Sequence, residues 1–133
     1  MAFNVLIVDD SPSMRKVIRR VLMLSGFDVG SCMEAGDGIE ALEVLDREWM
    51  DIVVTDINMP NMNGEELLER LSSDAMRSSI PVLVVSTDRS DERLKRMMAL
   101  GARGYVTKPF VPETLGTAMA QIMGERKHAS TSF

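Results

Sequence analysis

Short, uninterrupted apolar runs recur along the chain: Val5-Leu6-Ile7-Val8, Ile52-Val53-Val54 and Val82-Leu83-Val84-Val85, with weaker runs at Val29 to Met33 and Gly104 to Thr107. Runs of this length without polar alternation suit strands buried on both faces, as in a parallel sheet covered by helices. Between them the periodicity becomes helical. Met14, Val17, Ile18, Val21 and Leu22 recur at helical spacing, with Ser11 as N-cap, Pro12 at the first helical position and Gly26 past the end. The pattern predicts further helices over 38–48, burying Ile39, Leu42 and Leu45, and over 64–72, burying Leu67, Leu68 and Leu71. A fourth opens at Ser90 and carries Leu94, Met97 and Met98, and a fifth opens at Pro112 and carries Leu115, Met119, Ile122 and Met123. Strict alternation of five strands with five helices implies right-handed crossovers and a doubly wound parallel α/β sheet. The polar Gly30, Ser31 and Cys32 place the second strand at an edge. Periodicity fades after Gly124, so one domain over 1–125 and a flexible tail over 126–133 are expected.

Composition narrows the classes. With 133 residues, 45% hydrophobic and 26% charged, the chain fits one globular core rather than two domains or a disordered segment. No apolar run approaches the ~18 residues of a membrane span, and no signal peptide is visible, so a cytoplasmic protein without a membrane partner is expected. The single Cys32 can form neither an internal disulfide nor a CxxC metal site. A net charge of −5 is a poor footprint for phosphate backbones, and no nucleic-acid partner is expected. Twelve methionines fit adaptable core filling, with Met59 and Met62 placed to pack beside whatever follows the third strand.

Chemistry gathers where the strands end. In open parallel sheets ligands bind beyond the carboxyl ends of the strands. Strand one ends in Asp9-Asp10, strand three in Asp56, strand four in Ser86-Thr87 and strand five in Lys108-Pro109. Any one Asp after a strand can be merely a cap or turn former. Three carboxylates on one edge, however, raise one another's pKa unless a cation intervenes. All-oxygen donors with no thiolate or imidazole favour a hard ion, and few acidic ligands plus water suit Mg²⁺ better than Ca²⁺. Lys108 beside them is suited to holding phosphoryl or carboxylate oxygens.

The set Asp9-Asp10, Asp56 within TDINMPNMNG, Ser86 after an apolar strand, and Lys108-Pro109-Phe110 resembles the receiver domain of two-component response regulators, in particular its stand-alone, CheY-like chemotaxis type. The resemblance covers about residues 3–125 and implies a flavodoxin-like (βα)5 fold with strand order 2-1-3-4-5. It also implies a signalling switch rather than an enzyme, with Asp56 as phosphoacceptor from a histidine kinase. By the same resemblance, Asp10, Asp56 and the Asn58 backbone carbonyl would ligate Mg²⁺, with Asp9 acting mainly through water. Lys108 would pair with a phosphoryl or carboxylate oxygen. Ser86 would bond the phosphoryl group, favour an inward Tyr105, and so alter the face of the fourth helix, fifth strand and fifth helix. Lys108-Pro109 would be a cis peptide. The downstream partner would be a flagellar switch or a phosphotransfer protein, and a relay intermediate or phosphate sink is the alternative role.

Departures from the family pattern carry expectations of their own. Thr87 stands where a small alanine is frequent and would narrow access to Asp56, whereas Asn58 and Asp88 flank the site and are placed to position a water. Ile57 follows Asp56 where the chemotaxis protein has a tryptophan, and the only tryptophan here is Trp49. The basic residues of the fourth helix read as a solvated face or as a surface for an acidic partner. Two other classes share the architecture. A Mg²⁺-dependent phosphohydrolase of the haloacid dehalogenase type needs a DxD after the first strand, where this chain has Asp9-Asp10-Ser11. A flavodoxin-like carrier needs a Ser/Thr/Gly-rich phosphate loop that is missing there.

Overall fold

In the computed structural model, which describes residues 2–131 and side chains through residue 124, the apolar runs become parallel strands. These are β1 (Phe3–Val8), β2 (Val29–Ala35), β3 (Ile52–Thr55), β4 (Val82–Ser86) and β5 (Gly104–Thr107), joined in the order β2-β1-β3-β4-β5. Helices α1 (Pro12–Leu24), α2 (Gly38–Arg47), α3 (Gly64–Ser72), α4 (Asp91–Ala99) and α5 (Pro112–Thr131) connect and flank them. The expected flavodoxin-like α/β fold and the edge position of β2 are what the structure shows. Among the described residues no helix is long and apolar enough to cross a membrane. The tail expected over 126–133 lies outside the residues whose side chains are described.

Successive strand residues point to opposite faces, which divides the core into two layers. Leu6, Val8, Val53, Val82 and Val84 face α2, α3 and α4, where Ala41, Val44, Leu67, Leu68, Leu71 and Met97 cover them. Val5, Ile7, Ile52, Val54, Leu83 and Val85 face α1 and α5, where Ile18, Leu22, Leu115, Met119, Ile122 and Met123 close the other layer. Each fully buried aliphatic side chain contributes about 1.5–3 kcal/mol of transfer free energy, so registration of these faces fixes where every strand ends.

Helix starts follow local chemistry. Ser11, Asp37, Asn63 and Ser90 each accept a backbone N–H from the first turn, and Asn63 forms a reciprocal capping box with Glu66. Three expected faces differ in detail. On α2 the buried stripe is Gly38, Ala41 and Val44, Leu42 and Leu45 are half-buried, and Ile39 is exposed. A step of one residue rotates a side chain about 100° around the axis, and the small Gly38 and Ala41 take the side nearest the core. On α4 only Met97 is buried, while Leu94 and Met98 are exposed, because the four-residue edge strand β5 offers a narrow platform. On α1 Ile18 and Leu22 are buried but Val17 is exposed.

Candidate functional site

The carboxyl edge of the sheet brings the predicted acidic residues together. One carboxylate oxygen each from Asp9, Asp10 and Asp56 lies within 4.8 Å of the others, with Asp9 buried, Asp56 half-buried and Asp10 exposed. Asp9 ends β1, and its backbone N–H donates to the Ala35 carbonyl at 3.1 Å. Its Oδ1 accepts the Ser11 N–H at 2.9 Å, so the turn into α1 holds the carboxylate in place. The Asp56 N–H donates to the Val8 carbonyl at 2.9 Å, while its Oδ1 accepts the Ile57 N–H at 2.7 Å.

Lys108 reaches this cluster from the end of β5, donating from Nζ to Asp9 Oδ2 at 3.1 Å and to Asp56 Oδ2 at 3.2 Å. Its own N–H donates to the Ser86 carbonyl at 2.8 Å, which ties the end of β5 to the end of β4. The Lys108-Pro109 bond is cis, as expected. Burial pushes the Asp56 carboxyl up, and the Ile57 N–H and the Lys108 ammonium only partly offset it. Burial works against the Lys108 cation, yet the Asp56 and Asp9 carboxylates outweigh it and hold the ammonium above its ordinary range. Three carboxylates against one ammonium leave a surplus of negative charge on all-oxygen donors, and a hard divalent cation fits such a set.

Ser86 is buried at the end of β4, and its Oγ accepts the Asp88 N–H at 3.1 Å. Tyr105 is half-buried against the layer of α2, α3 and α4, and its hydroxyl donates to the Asp88 carbonyl at 2.6 Å. Burial raises the Tyr105 phenol, opposed by its interaction with Ser86. The β4–α4 loop thus lies between the Ser86 and Tyr105 hydroxyls. Thr87 and Asn58 are exposed. The Asp88 carboxylate accepts the Ser90 N–H at 2.9 Å and pairs with Arg93 at 3.3 Å. Arg93 also pairs with Glu65 at 3.3 Å, and Glu65 with Arg96 at 2.6 Å, so these basic residues of α4 turn toward α3.

Asp37, Asn61 and Arg15 position the site with no counterpart in the sequence-based expectations, whereas Met62 is expected beside the site and Gly64 at the turn. Asp37, buried at the N-cap of α2, accepts the Glu40 N–H at 2.9 Å and the Asn61 Nδ2 at 2.8 Å. Asn61 has φ 63°, a left-handed conformation that asparagine tolerates better than most residues. Beside it the Gly38 N–H donates to the Met62 carbonyl at 2.9 Å. The space a Gly38 Cβ would need is filled by the Met62 side chain, 2.5 Å from Cγ. Together these contacts strap the loop after Asp56 to the start of α2. Gly64 closes the same loop, since its N–H donates to the Ile57 carbonyl at 2.8 Å and a Cβ there would lie 2.3 Å from the Asp56 carbonyl oxygen. On the other side Arg15 donates to the Asp9 carbonyl at 2.5 Å and pairs with Glu34 at 2.8 Å, joining α1 to β2 behind the acid cluster. The Asp37-Gly38 pair at a helix start and an asparagine after proline are the only sequence signals of this strap.

Comparison with known proteins agrees with this arrangement. Residues 5–120 match the family model of the response regulator receiver domain. The chain is 36% identical over 119 residues to chemotaxis protein CheY-3 of Vibrio cholerae, covering 90% of each chain. It is 33% identical over 122 residues to chemotaxis protein CheY1 of Helicobacter pylori, covering 91% of this chain and 97% of the relative. The high-resolution structure of chemotaxis response regulator CheY4 of Vibrio cholerae superposes with a TM-score of 0.81 at 33% identity, over 92% of this chain and 99% of that one. With the acid cluster, the lysine and the buried serine each at the end of its own strand, the chain belongs to the response regulator receiver-domain family.

Proposed function

We propose that the protein is a phosphorylation-dependent switch in a chemotaxis-type two-component pathway, with Asp56 as the acceptor of a phosphoryl group from a histidine kinase. The observation that carries this reading is the Asp56 carboxylate, half-buried, held at one oxygen by the Ile57 N–H and at the other by Lys108, beside two further carboxylates. A kinase phosphohistidine or a small acyl phosphate is the donor, since His128 is the only histidine of this chain. Asp56 attacks phosphorus, the donor's bond to phosphorus breaks, and a mixed acyl phosphate forms. Lys108 neutralises oxygen charge on this path and retains a partner in Asp9 afterwards. Mg²⁺ fits the all-oxygen donor set, and Asp10, Asp56 and the Asn58 backbone carbonyl would hold it, with Asp9 acting through water. When bound it supplies positive charge that offsets the meeting of two anions.

The output follows from Ser86. Its hydroxyl donates to a phosphoryl oxygen, the β4–α4 loop shifts inward, and the inward position of Tyr105, whose hydroxyl meets the Asp88 carbonyl, is favoured. The face of α4, β5 and α5 then differs between states, and a target such as a flagellar switch that prefers one state stabilises it in turn. Intact mass after incubation with Mg²⁺ and acetyl phosphate tests the reading. One labile phosphoryl adduct is expected on the wild type, and none on Asp56→Asn or in chelator. An adduct that persists in Asp56→Asn places the acceptor elsewhere and overturns the assignment.

A further inference from the structure

Trp49, the only tryptophan, is the least expected surface residue of the molecule. It is 57% exposed, and Met76 near it is 83% exposed. Both line one depression of about 300 Å³ between the end of α2 and the turn before β4, floored by the buried Met50 and Ile80. The indole is held there by its Nε1–H, which donates to Asp51 Oδ1 at 3.2 Å, and the Trp49 backbone carbonyl accepts from Asn4 Nδ2 at 3.3 Å. Met76 is held by the turn in which its N–H donates to Asp74 Oδ1 at 2.8 Å. An ordered, half-exposed indole offers a large contact area at little further entropic cost, the property that places tryptophan at the centres of interfaces.

The rim has a definite charge. Asp46, Glu48 and Asp74 line the depression with a single cation, Arg77, which is already engaged by both Asp46 and Asp74. A surplus of carboxylate beside an aromatic ring suits a lysine or arginine, whose charge meets the acids and whose head group can lie on the ring face. The apolar floor accepts an aliphatic neighbour of that cation. We propose that this corner is a docking site for a basic, amphipathic segment of a partner protein. It lies at the amino ends of β3 and β4, whereas Asp56 lies beyond the carboxyl end of β3. A partner bound here leaves the acceptor open, so the docking does not depend on phosphorylation.

Trp49 emission reads the site directly. The probe is a tryptophan-free peptide alternating lysine and leucine, with its glutamate-for-lysine counterpart as control. A saturable emission shift with the basic peptide, weakened by salt, is expected, together with no shift from the acidic one. Glu48→Lys and Met76→Ser should each weaken binding about tenfold, a change of ~1.4 kcal/mol. Asp56→Asn should bind the peptide as the wild type does, which separates this inference from the assignment of the phosphoacceptor. The proposal is overturned if both peptides shift Trp49 alike, or if Glu48→Lys binds the basic peptide unchanged. Emission that changes with protein concentration alone also overturns it, because a second copy would then cover the corner.

Discussion

Single atoms decide how the loop after Asp56 sits. Gly64 is the tightest position, since an added Cβ meets the backbone oxygen of Asp56 rather than the end of a mobile side chain. Overpacking of this kind costs about 1–3 kcal/mol. Gly64→Ala is therefore expected to lower the unfolding free energy from urea titration by that amount and to slow adduct formation on Asp56. Gly124→Ala, where nothing lies within 4 Å inside α5, should instead stabilise by ~0.5–1 kcal/mol. Asp37 adds a dependence on pH. Its carboxyl is held below its ordinary value, first by the Asn61 side chain and then by the Glu40 N–H. A carboxyl whose folded pKa is depressed contributes stability that is fully present above the unfolded value and is lost as pH falls through the folded one. Urea titrations should find Asp37→Asn less stable than the wild type at pH 7, with the gap closing below about pH 4. A gap that stays constant through that range would show the ionised carboxylate to be irrelevant.

At the level of elements, the β4–α4 loop is held largely by side-chain bonds. Its ends are fixed by Ser86 and Ser90, and between them Asp88 bonds Arg93, which also pairs with Glu65 on α3. These side chains are partly exposed, so solvent screens their pairing. Arg93→Ala should leave the unfolding free energy within ~1 kcal/mol of wild type but speed amide exchange over residues 87–90, because the loop loses its link to α3. Equal protection in both proteins would assign the ordering of the loop to Tyr105 alone. The sequence made α3 and α5 legible because Leu67, Leu68 and Leu71, and Leu115, Met119, Ile122 and Met123, form single stripes that the core covers completely. It misled at Ile39, Leu94 and Met98, since periodicity marks apolar residues but not how wide a face the neighbouring strands present. The acid cluster and Lys108 were legible because parallel strands deliver their last residues to one edge. Met62 was placed beside the site, but the bond between Asp37 and Asn61 was not legible, because it joins two loops 24 residues apart through side chains and a left-handed asparagine.

Across the whole molecule, the two core layers support a sheet edge that concentrates charge the fold does not neutralise. The chain carries −5 overall, and three of its carboxylates converge within 4.8 Å around one lysine. Like charges so placed cost stability until a cation binds. A ligand that binds only the folded state stabilises it by RT ln(1 + [L]/Kd), about 2.7 kcal/mol at one hundred times Kd. The thermal midpoint should therefore rise with Mg²⁺ by several degrees, and much less with NaCl of equal ionic strength, which screens without binding. Asp10 is exposed, so Asp10→Asn removes one charge from the cluster without disturbing either layer. In chelator this variant should melt above the wild type, and with Mg²⁺ the order should reverse because one of the proposed ligands is gone. Lys108→Met should do the opposite in chelator, melting below the wild type as Asp9 and Asp56 lose their ammonium. A wild-type midpoint indifferent to Mg²⁺, or an Asp10→Asn response equal to that of the wild type, would mean that the cation binds elsewhere and that the edge balances its charge by raising a carboxyl pKa instead.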